Sequence, residues 1–320
     1  MEYFRELDEY RNAEPSVVTL GKFDGVHLGH RLLLEKVREI SAEENLVSIA
    51  VTFDAPPSAK IHHTKGLMLM TNRERRDLLE EEGMDFLVEC VFNEQFRSLS
   101  PAEFVRNILM DRFHVSALVV GDDFRFGKDR AGDAAFLKKT GMESGFSVYV
   151  VGKKKDPESG QEISSSWIRS ELREGHMETV TRLLGRPYFI SGKIVHGKQI
   201  GHRMGIPTIN QIPEDRKMLP PNGVYFSFAE IGGQKYHGVT NIGIRPTVSG
   251  EGLSVETHLL DCSGDFYEDE ARISLLHFLR AERKFDSVEV LRDQIRKDVR
   301  AADEYFQALQ ALFESPVSLS

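Results

Sequence analysis

The sequence predicts two domains of different class. Residues 1–184 read as an α/β doubly wound domain, and residues 185–320 as a small antiparallel β-barrel followed by a C-terminal helix. Three observations carry this. In the first half, short apolar runs alternate with helix-period patterns, which implies a parallel sheet with right-handed crossovers. Past residue 185, strand-like runs follow one another without long helices between them. A chain of 320 residues is also long for one domain and suits two.

The first-half strands are "VVTL" (17–20), "LVSIAVTF" (46–53), "FLVECVF" (86–92), "ALVV" (117–120) and "SVYVV" (147–151). Near-continuous apolar runs of this length suit strands buried on both faces. Between them, Leu32, Leu33, Val37 and Ile40 mark one helix face. "TNRE" opens another helix with Thr71 as N-cap and Glu74 at N3, a capping box; Gly83 stops it. "SPAE" repeats the device with Ser100, Pro101 and Glu103. "GKKKDPESG" (152–160) reads as a mobile, solvated turn. "LLGRPY" (183–188) then ends a helix at glycine and restarts the chain after proline.

Five strand-like runs make the barrel: "YFISGKIV", "GVYFSFAEI", "QKYHGVTNIG", "SVETHLL" and "ARISLLHFL". Gly232-Gly233 joins two of them as a two-residue hairpin turn. After Ser287, Val288, Leu291, Ile295, Val299, Phe306 and Leu309 recur at helical spacing, a stripe for docking on the barrel.

Net charge is −9 with both signs interspersed, which argues against a nucleic-acid scaffold but not against small anionic ligands. The two cysteines, Cys90 and Cys262, are far apart and form no CxxC or Cys/His zinc spacing, so they read as idle thiols in a reducing compartment. "MEYFRELDEY" carries no apolar signal core, and no apolar run approaches the ~20 residues of a membrane helix. A cytoplasmic location is expected, with no membrane and no nucleic-acid partner. A monomer or weak homo-oligomer is expected.

"GKFDGVHLGH" (21–30) follows the strand "VVTL" and opens a helix, at the edge where parallel sheets bind ligands. A helix N-terminus offers free N–H groups and partial positive charge to phosphate. Gly25 and Gly29 let backbone approach it, and His27 and His30 lie one turn apart on the first turn. Imidazoles there donate to phosphoryl oxygens or protonate a leaving pyrophosphate. The rival is a zinc site, for which nothing nearby completes a ligand set.

This stretch resembles the HxGH signature of nucleotidylyltransferases, in the form found in bacterial bifunctional riboflavin kinase/FAD synthetases. "TFDAPP" (52–57), "GDDFRFG" (121–127) and "ISSSWIR" (163–169) are similar, in order, to three more of that family's motifs. Ala55-Pro56-Pro57 departs from the family's Pro-His-Pro, and Ser166 replaces threonine. The resemblance implies an FMN adenylyltransferase (FAD synthetase) domain at 1–184, with a nucleotidylyltransferase-like fold. Gly21, Phe23, Asp24, Gly25, Gly29, Ser164, Ser165, Ser166 and Arg169 would then bind ATP. Asp123, Phe124 and Arg125 would bind flavin, Phe124 and Phe126 flanking a flat ring while Arg125 pairs phosphate. The FMN phosphate is already anionic and needs no general base, so the site has only to align it and stabilise departing pyrophosphate.

In the second half, "GKIVHGKQ" (192–199) is a near miss to the Walker pattern, with Gln199 where the metal-binding hydroxyl belongs. "GKIVHGKQIGHRMGIPTIN" (192–210) instead resembles the riboflavin kinase ATP loop, although His202 stands where arginine is common. That assigns Gly192, Gly197, Gly201 and Gly205 to the phosphates, and the oxygens of Thr208 and Asn210 to magnesium. "SVETHLLD" (254–261) is similar to the strand carrying the family's catalytic glutamate. Alternation sets Val255, Thr257 and Leu259 on one face, and Glu256, His258 and Leu260 on the other. Glu256 would take the proton of the ribityl 5′-hydroxyl as it attacks the γ-phosphate. "NIGIRPT" (241–247), "GVY" (223–225) and "FLRAERKF" (278–285) fit as well, with Arg280 as a flavin contact. The implied ligands are riboflavin, FMN and ATP, with Mg2+ as cofactor.

Overall fold

The computed structural model describes the chain except residues 55–65, 197–206, 248–249, 261, 263, 265 and 315–320, with backbone only at 245–247, 250–251 and 312–314. By packing it forms two compact units. One comprises Met1–Trp167 with Arg216–Met218, the other Ile168–Asp215 with Leu219–Ser320.

The first unit is built on β1 (Glu2–Phe4), β2 (Ser16–Leu20), β3 (Val47–Phe53), β4 (Phe86–Cys90), β5 (Val115–Gly121) and β8 (Ser147–Val151). All pair in parallel, in the order β1-β4-β3-β2-β5-β8. Strand β2 is buried along its whole length, with Ser16 and Thr19 buried beside Val17, Val18 and Leu20. The chain leaves β2 to one side for β3 and reaches β5 on the other, so the order reverses beside β2. Open α/β sheets bind ligands at such a point, outside the carboxyl ends of the strands. A pairing of β6 (Arg125–Phe126) with β7 (Gly132–Asp133) follows β5.

Helix α1 (Leu28–Glu44) begins where the sequence places it, but its buried stripe is Leu34, Val37 and Ile40. Leu32 and Leu33 are only half-buried, because the start set by the His27 cap turns Leu34 toward the sheet. Helix α2 (Asn72–Glu81) has the full Thr71–Glu74 capping box, and the Ser100–Glu103 box also forms. Beyond Glu103 the helix widens into a π-helix, Phe104–Met110, for which the apolar pattern gives no sign. Residues 152–160 form a largely exposed turn with internal hydrogen bonds. Buried Asp156 accepts from the Ser159 amide at 3.0 Å and hydroxyl at 2.8 Å, and Lys155 bridges to Glu162. Helix α3 (Ala134–Ser144) leads into β8.

The second unit opens with α4 (Ser165–Glu174), whose first turn belongs to the other unit, and α5 (Met177–Leu184). Gly185 caps α5 in the left-handed region at φ +73°. Its strands are β9 (Tyr188–Lys193), β10 (Thr208–Gln211), β11 (Gly223–Ile231), β12 (Gln234–Thr247), β13 (Gly250–Leu259) and β14 (Glu270–Ala281). They pair antiparallel in the order β10-β13-β12-β11-β14-β9. The two ends of this sheet meet. The Val195 amide donates to the Asn210 carbonyl at 2.8 Å, and Gln211 Nε2 donates to the carbonyls of Gly192 and Ala271, each at 2.8 Å. The barrel therefore closes on β10, a strand hidden in the glycine-rich stretch.

Gly232 and Gly233 sit at φ +58° and +80° between β11 and β12, the backbone a two-residue type I′ turn demands. Inside the barrel a hydroxyl chain runs from Ser227 to Thr240 at 2.7 Å and on to Thr257 at 2.8 Å, satisfying three buried polar groups in one row. Helix α6 (Val288–Glu314) buries Ala302 and Phe306, with Val299 half-buried. Its first turn does not take part in the expected stripe: Val288 is 56% exposed.

Candidate active sites

The loop after β2 has no regular structure and is shaped by three residues with positive φ: Phe23 at +46°, Gly25 at +93° and Val26 at +35°. Only glycine adopts the middle value without strain. The Phe23 ring is fully buried and lies edge-on to His30 at 5.4 Å. A Cβ on Gly21 would meet that ring at 3.1 Å. Phe23 is thus a packing residue, buried with its backbone. Asp24 is buried as well, and its Oδ1 accepts from the Leu69 amide at 2.8 Å.

His27 is the N-cap of α1. Its Nδ1 accepts from the His30 amide at 3.3 Å, which leaves the ring proton of the neutral form on Nε2, a donor. The His30 ring stacks on it at 3.7 Å and 18°. Gly29 makes room for this pair, since a Cβ there would come within 3.1 Å of His27 Cε1. Two imidazoles and the N-terminus of a 17-residue helix thus meet at the carboxyl edge of the sheet. Ser165, on the first turn of α4, donates its hydroxyl to the Asp24 carbonyl at 2.8 Å. Ser164 accepts from the Trp167 amide at 3.3 Å and caps that turn, while Ser166 is exposed and Arg169 half-buried further along the helix.

The stretch after β5 differs from the reading in one respect. Phe124 and Phe126 stack on each other at 5.6 Å and 19°. A ring held between two others needs about 7 Å, twice the ~3.5 Å of an optimal contact, so they do not flank a third. Phe126 is buried against Phe104 and Phe136 instead. Phe124 stays half-buried, and exposed Arg125 donates to its carbonyl at 2.9 Å. Asp123 is exposed and pairs with Lys153 at 3.5 Å.

In the barrel, Glu256 sits opposite Asn210 of β10 on one side and opposite Asn241 of β12 on the other. Directly opposed residues of antiparallel strands share a face, so carboxylate and two carboxamides form one row. Thr208 joins the same face two residues along, opposite His258, whose Nδ1 is 2.8 Å from the Pro207 carbonyl. The alternation holds: Val255, Thr257 and Leu259 are buried, and Glu256 and His258 half-buried. Leu260 is buried past the strand's end. Asn241 heads "NIGIRPT", and strand register is what singles it out within that motif. Gly192 lies on β9, while Gly197, Gly201 and Gly205 fall outside the described residues, as do Ala55, Pro56 and Pro57. Arg280 forms a bidentate pair with buried Asp298 of α6, at 3.1 Å from Nε and 2.6 Å from Nη2, so its guanidinium is held by the closing helix. Among the described residues no three His, Cys, Asp or Glu side chains group as a metal site. Burial pushes the Cys90 thiol up to about 12, which fits an inert thiol.

A parallel sheet with two histidines at its switch point, and a closed antiparallel barrel with a carboxylate–carboxamide row, define a nucleotide-using transferase of two parts. Residues 9–167 match the family model described as FAD synthetase, and residues 184–306 that described as riboflavin kinase. The chain belongs to the bifunctional riboflavin kinase/FMN adenylyltransferase family. It is 39% identical to the Pseudomonas fluorescens bifunctional riboflavin kinase/FMN adenylyltransferase, over 89% of this chain and 91% of that one. The Escherichia coli (strain K12) protein of the same description is 37% identical, over 92% and 93%. A solved structure from Streptococcus pneumoniae, described as a macrolide-efflux protein, shares the architecture with a TM-score of 0.83 at 31% identity, over 94% of this chain and 98% of that one. No described helix of the present chain is long and apolar enough to cross a membrane. The chain is an enzyme of FAD synthesis, acting on riboflavin, FMN and ATP.

Proposed function

We propose that residues 1–184 carry the adenylyl transfer and residues 185–320 the phosphorylation, each with its own catalytic groups. The observation that supports this best is that His27 caps, and His30 lies in the first turn of, the helix at the parallel sheet's switch point, whereas Glu256 lies between Asn210 and Asn241 on the barrel.

In the kinase reaction Glu256 accepts the proton of the ribityl 5′-hydroxyl. The freed oxygen bonds to the γ-phosphorus, the bond to the β–γ bridging oxygen breaks, and ADP leaves. Asn210 and Asn241 flank the carboxylate and orient it. The hydroxyl of Thr208 and the amide oxygen of Asn210 are hard donors that fit magnesium. Bound there, that ion would neutralise phosphate charge and organise the triphosphate. Gly192, Gly197, Gly201 and Gly205 would supply the backbone around it.

In the adenylyl transfer an oxygen of the FMN phosphate attacks the α-phosphorus of ATP and pyrophosphate leaves. Nε2–H of His27 donates to a phosphoryl oxygen, and His30 and the α1 amides stabilise the departing pyrophosphate. Ser164, Ser165, Ser166 and Arg169 are proposed ATP contacts, and Asp123, Phe124 and Arg125 flavin contacts. Arg280 is better assigned to tethering the closing helix through Asp298. A cytoplasmic protein working as a monomer or weak homo-oligomer is proposed, and a net charge of −9 speaks against a nucleic-acid partner.

The test is the double variant H27A/H30A. It should turn over riboflavin to FMN at the parent rate and make no FAD from supplied FMN. Loss of the kinase step in the folded variant would contradict the division.

A further inference from the structure

The loop bearing the histidines has one internal turn bond, from the Val26 amide to the Phe23 carbonyl at 3.1 Å, and is otherwise anchored to its surroundings. Three residues with positive φ in four positions would relax if released. Beside the Ser165 and Thr52 hydroxyls, two of its anchors lead to a pair of buried ion pairs on adjacent residues of α2. Arg75 is fully buried, and donates to the Lys22 carbonyl at 3.2 Å, the Phe53 carbonyl at 2.9 Å and Asn72 Oδ1 at 3.2 Å, and it pairs with Glu89. Arg75 thereby joins the ends of β2 and β3 to α2 and β4. Its neighbour Glu74, also buried, accepts from the Thr71 amide at 2.8 Å and from Lys217 Nζ at 2.6 Å. The same ammonium donates to the Leu69 carbonyl at 3.0 Å. Leu69 in turn donates its amide to Asp24 in the loop.

Lys217 lies within the stretch matched by the riboflavin kinase model, yet residues 216–218 are built into the first unit. The Met68 amide donates to the Arg216 carbonyl at 2.9 Å, and the Met218 amide to the Met68 carbonyl at 2.8 Å. This two-bond strap threads Lys217 inward, where it is 5% exposed. The geometry points to Lys217 as a positioning residue for adenylyl transfer: it fixes Leu69, and through Leu69 and Asp24 the loop that presents His27 and His30. This rests on the assignment of adenylyl transfer to that loop. Lys217 touches no substrate. Its effect is to keep the histidines in the reactive geometry, so the rate should depend on it more than substrate affinity does.

The experiment uses the full chain with K217M, K217R and the double variant E74Q/K217M. Each is assayed for riboflavin to FMN and for FMN to FAD, with kcat and KM separated and thermal unfolding recorded. K217M should lower kcat for FAD formation by about tenfold to a hundredfold, leave KM for ATP and the kinase rate within about twofold, and lower Tm because Glu74 is left buried without its cation. E74Q/K217M removes both charges, so Tm should recover while kcat stays low, the Leu69 carbonyl still lacking its donor. K217R should recover part of the rate. If Tm and kcat recover together in the double variant, or if K217M forms FAD at the parent rate, the positioning role is overturned. If K217M fails to fold, the double variant carries the same readout. H27A/H30A in the same assay keeps the two ideas apart, because FAD formation by that variant would sink the loop assignment itself.

Discussion

At the scale of single residues, the two candidate sites differ in the one proton that must move. An alcohol needs a base and a phosphate does not, and the barrel presents a carboxylate in line with two carboxamides. E256Q keeps the shape of the side chain and removes its basicity. FMN formation should fall by about two to four orders of magnitude, with ATP affinity little changed and FAD formation from supplied FMN intact; steady-state kinetics on each half-reaction reads both. A near-normal kinase rate would end the general-base role. The residues with this chemistry are legible in the sequence, since HxGH after a strand and Glu256 on an alternating run each imply a position. What each side chain touches is not. Phe23 turns inward, Asp24 caps a distant amide, Phe126 is buried on Phe104, and Arg280 is taken by Asp298. For Asp24, Phe126 and Arg280 the partners lie 18 to 45 positions away, which no local pattern encodes.

At the scale of elements, caps and turns follow the local chemistry closely. Thr71 and Ser100 form their boxes, Gly185 ends α5, and Gly232-Gly233 makes the hairpin. The misses are elements too short or too irregular to show a period. Strand β1 has three residues, β10 has four inside a glycine-rich stretch, and the π-helix Phe104–Met110 has an apolar pattern that an α-helix shares. Helix α5 yields a prediction of its own. Its Met177, Val180, Leu183 and Leu184 are buried within the second unit, on β9 and β14. Each apolar side chain is worth about 1.5–3 kcal/mol when fully buried, so together they rival the ~5–15 kcal/mol that holds a domain folded. A fragment of residues 168–320 should fold cooperatively and convert riboflavin to FMN. One of 185–320 should unfold at markedly lower temperature. Circular dichroism melts compare them, and equal midpoints would mean that α5 contributes nothing to the barrel.

At the scale of the whole molecule, one chain performs two reactions in sequence, and under the proposed division the product of the barrel is the substrate of the parallel-sheet unit. The change of texture near residue 185 is what makes the two-part design readable. The return of residues 216–218 to the first unit is not readable, because a three-residue strap has no period. If the catalytic groups are as separate as assigned, the two defective variants should complement each other in a mixture, with free FMN passing from one protein to the other. The most direct measurement is therefore chromatography of products from riboflavin and Mg-ATP with E256Q alone, H27A/H30A alone, and the two combined. The expected result is almost no product from the first, FMN only from the second, and FAD from the mixture. A mixture of folded variants that stops at FMN, or a single variant that makes FAD unaided at the parent rate, would contradict the account.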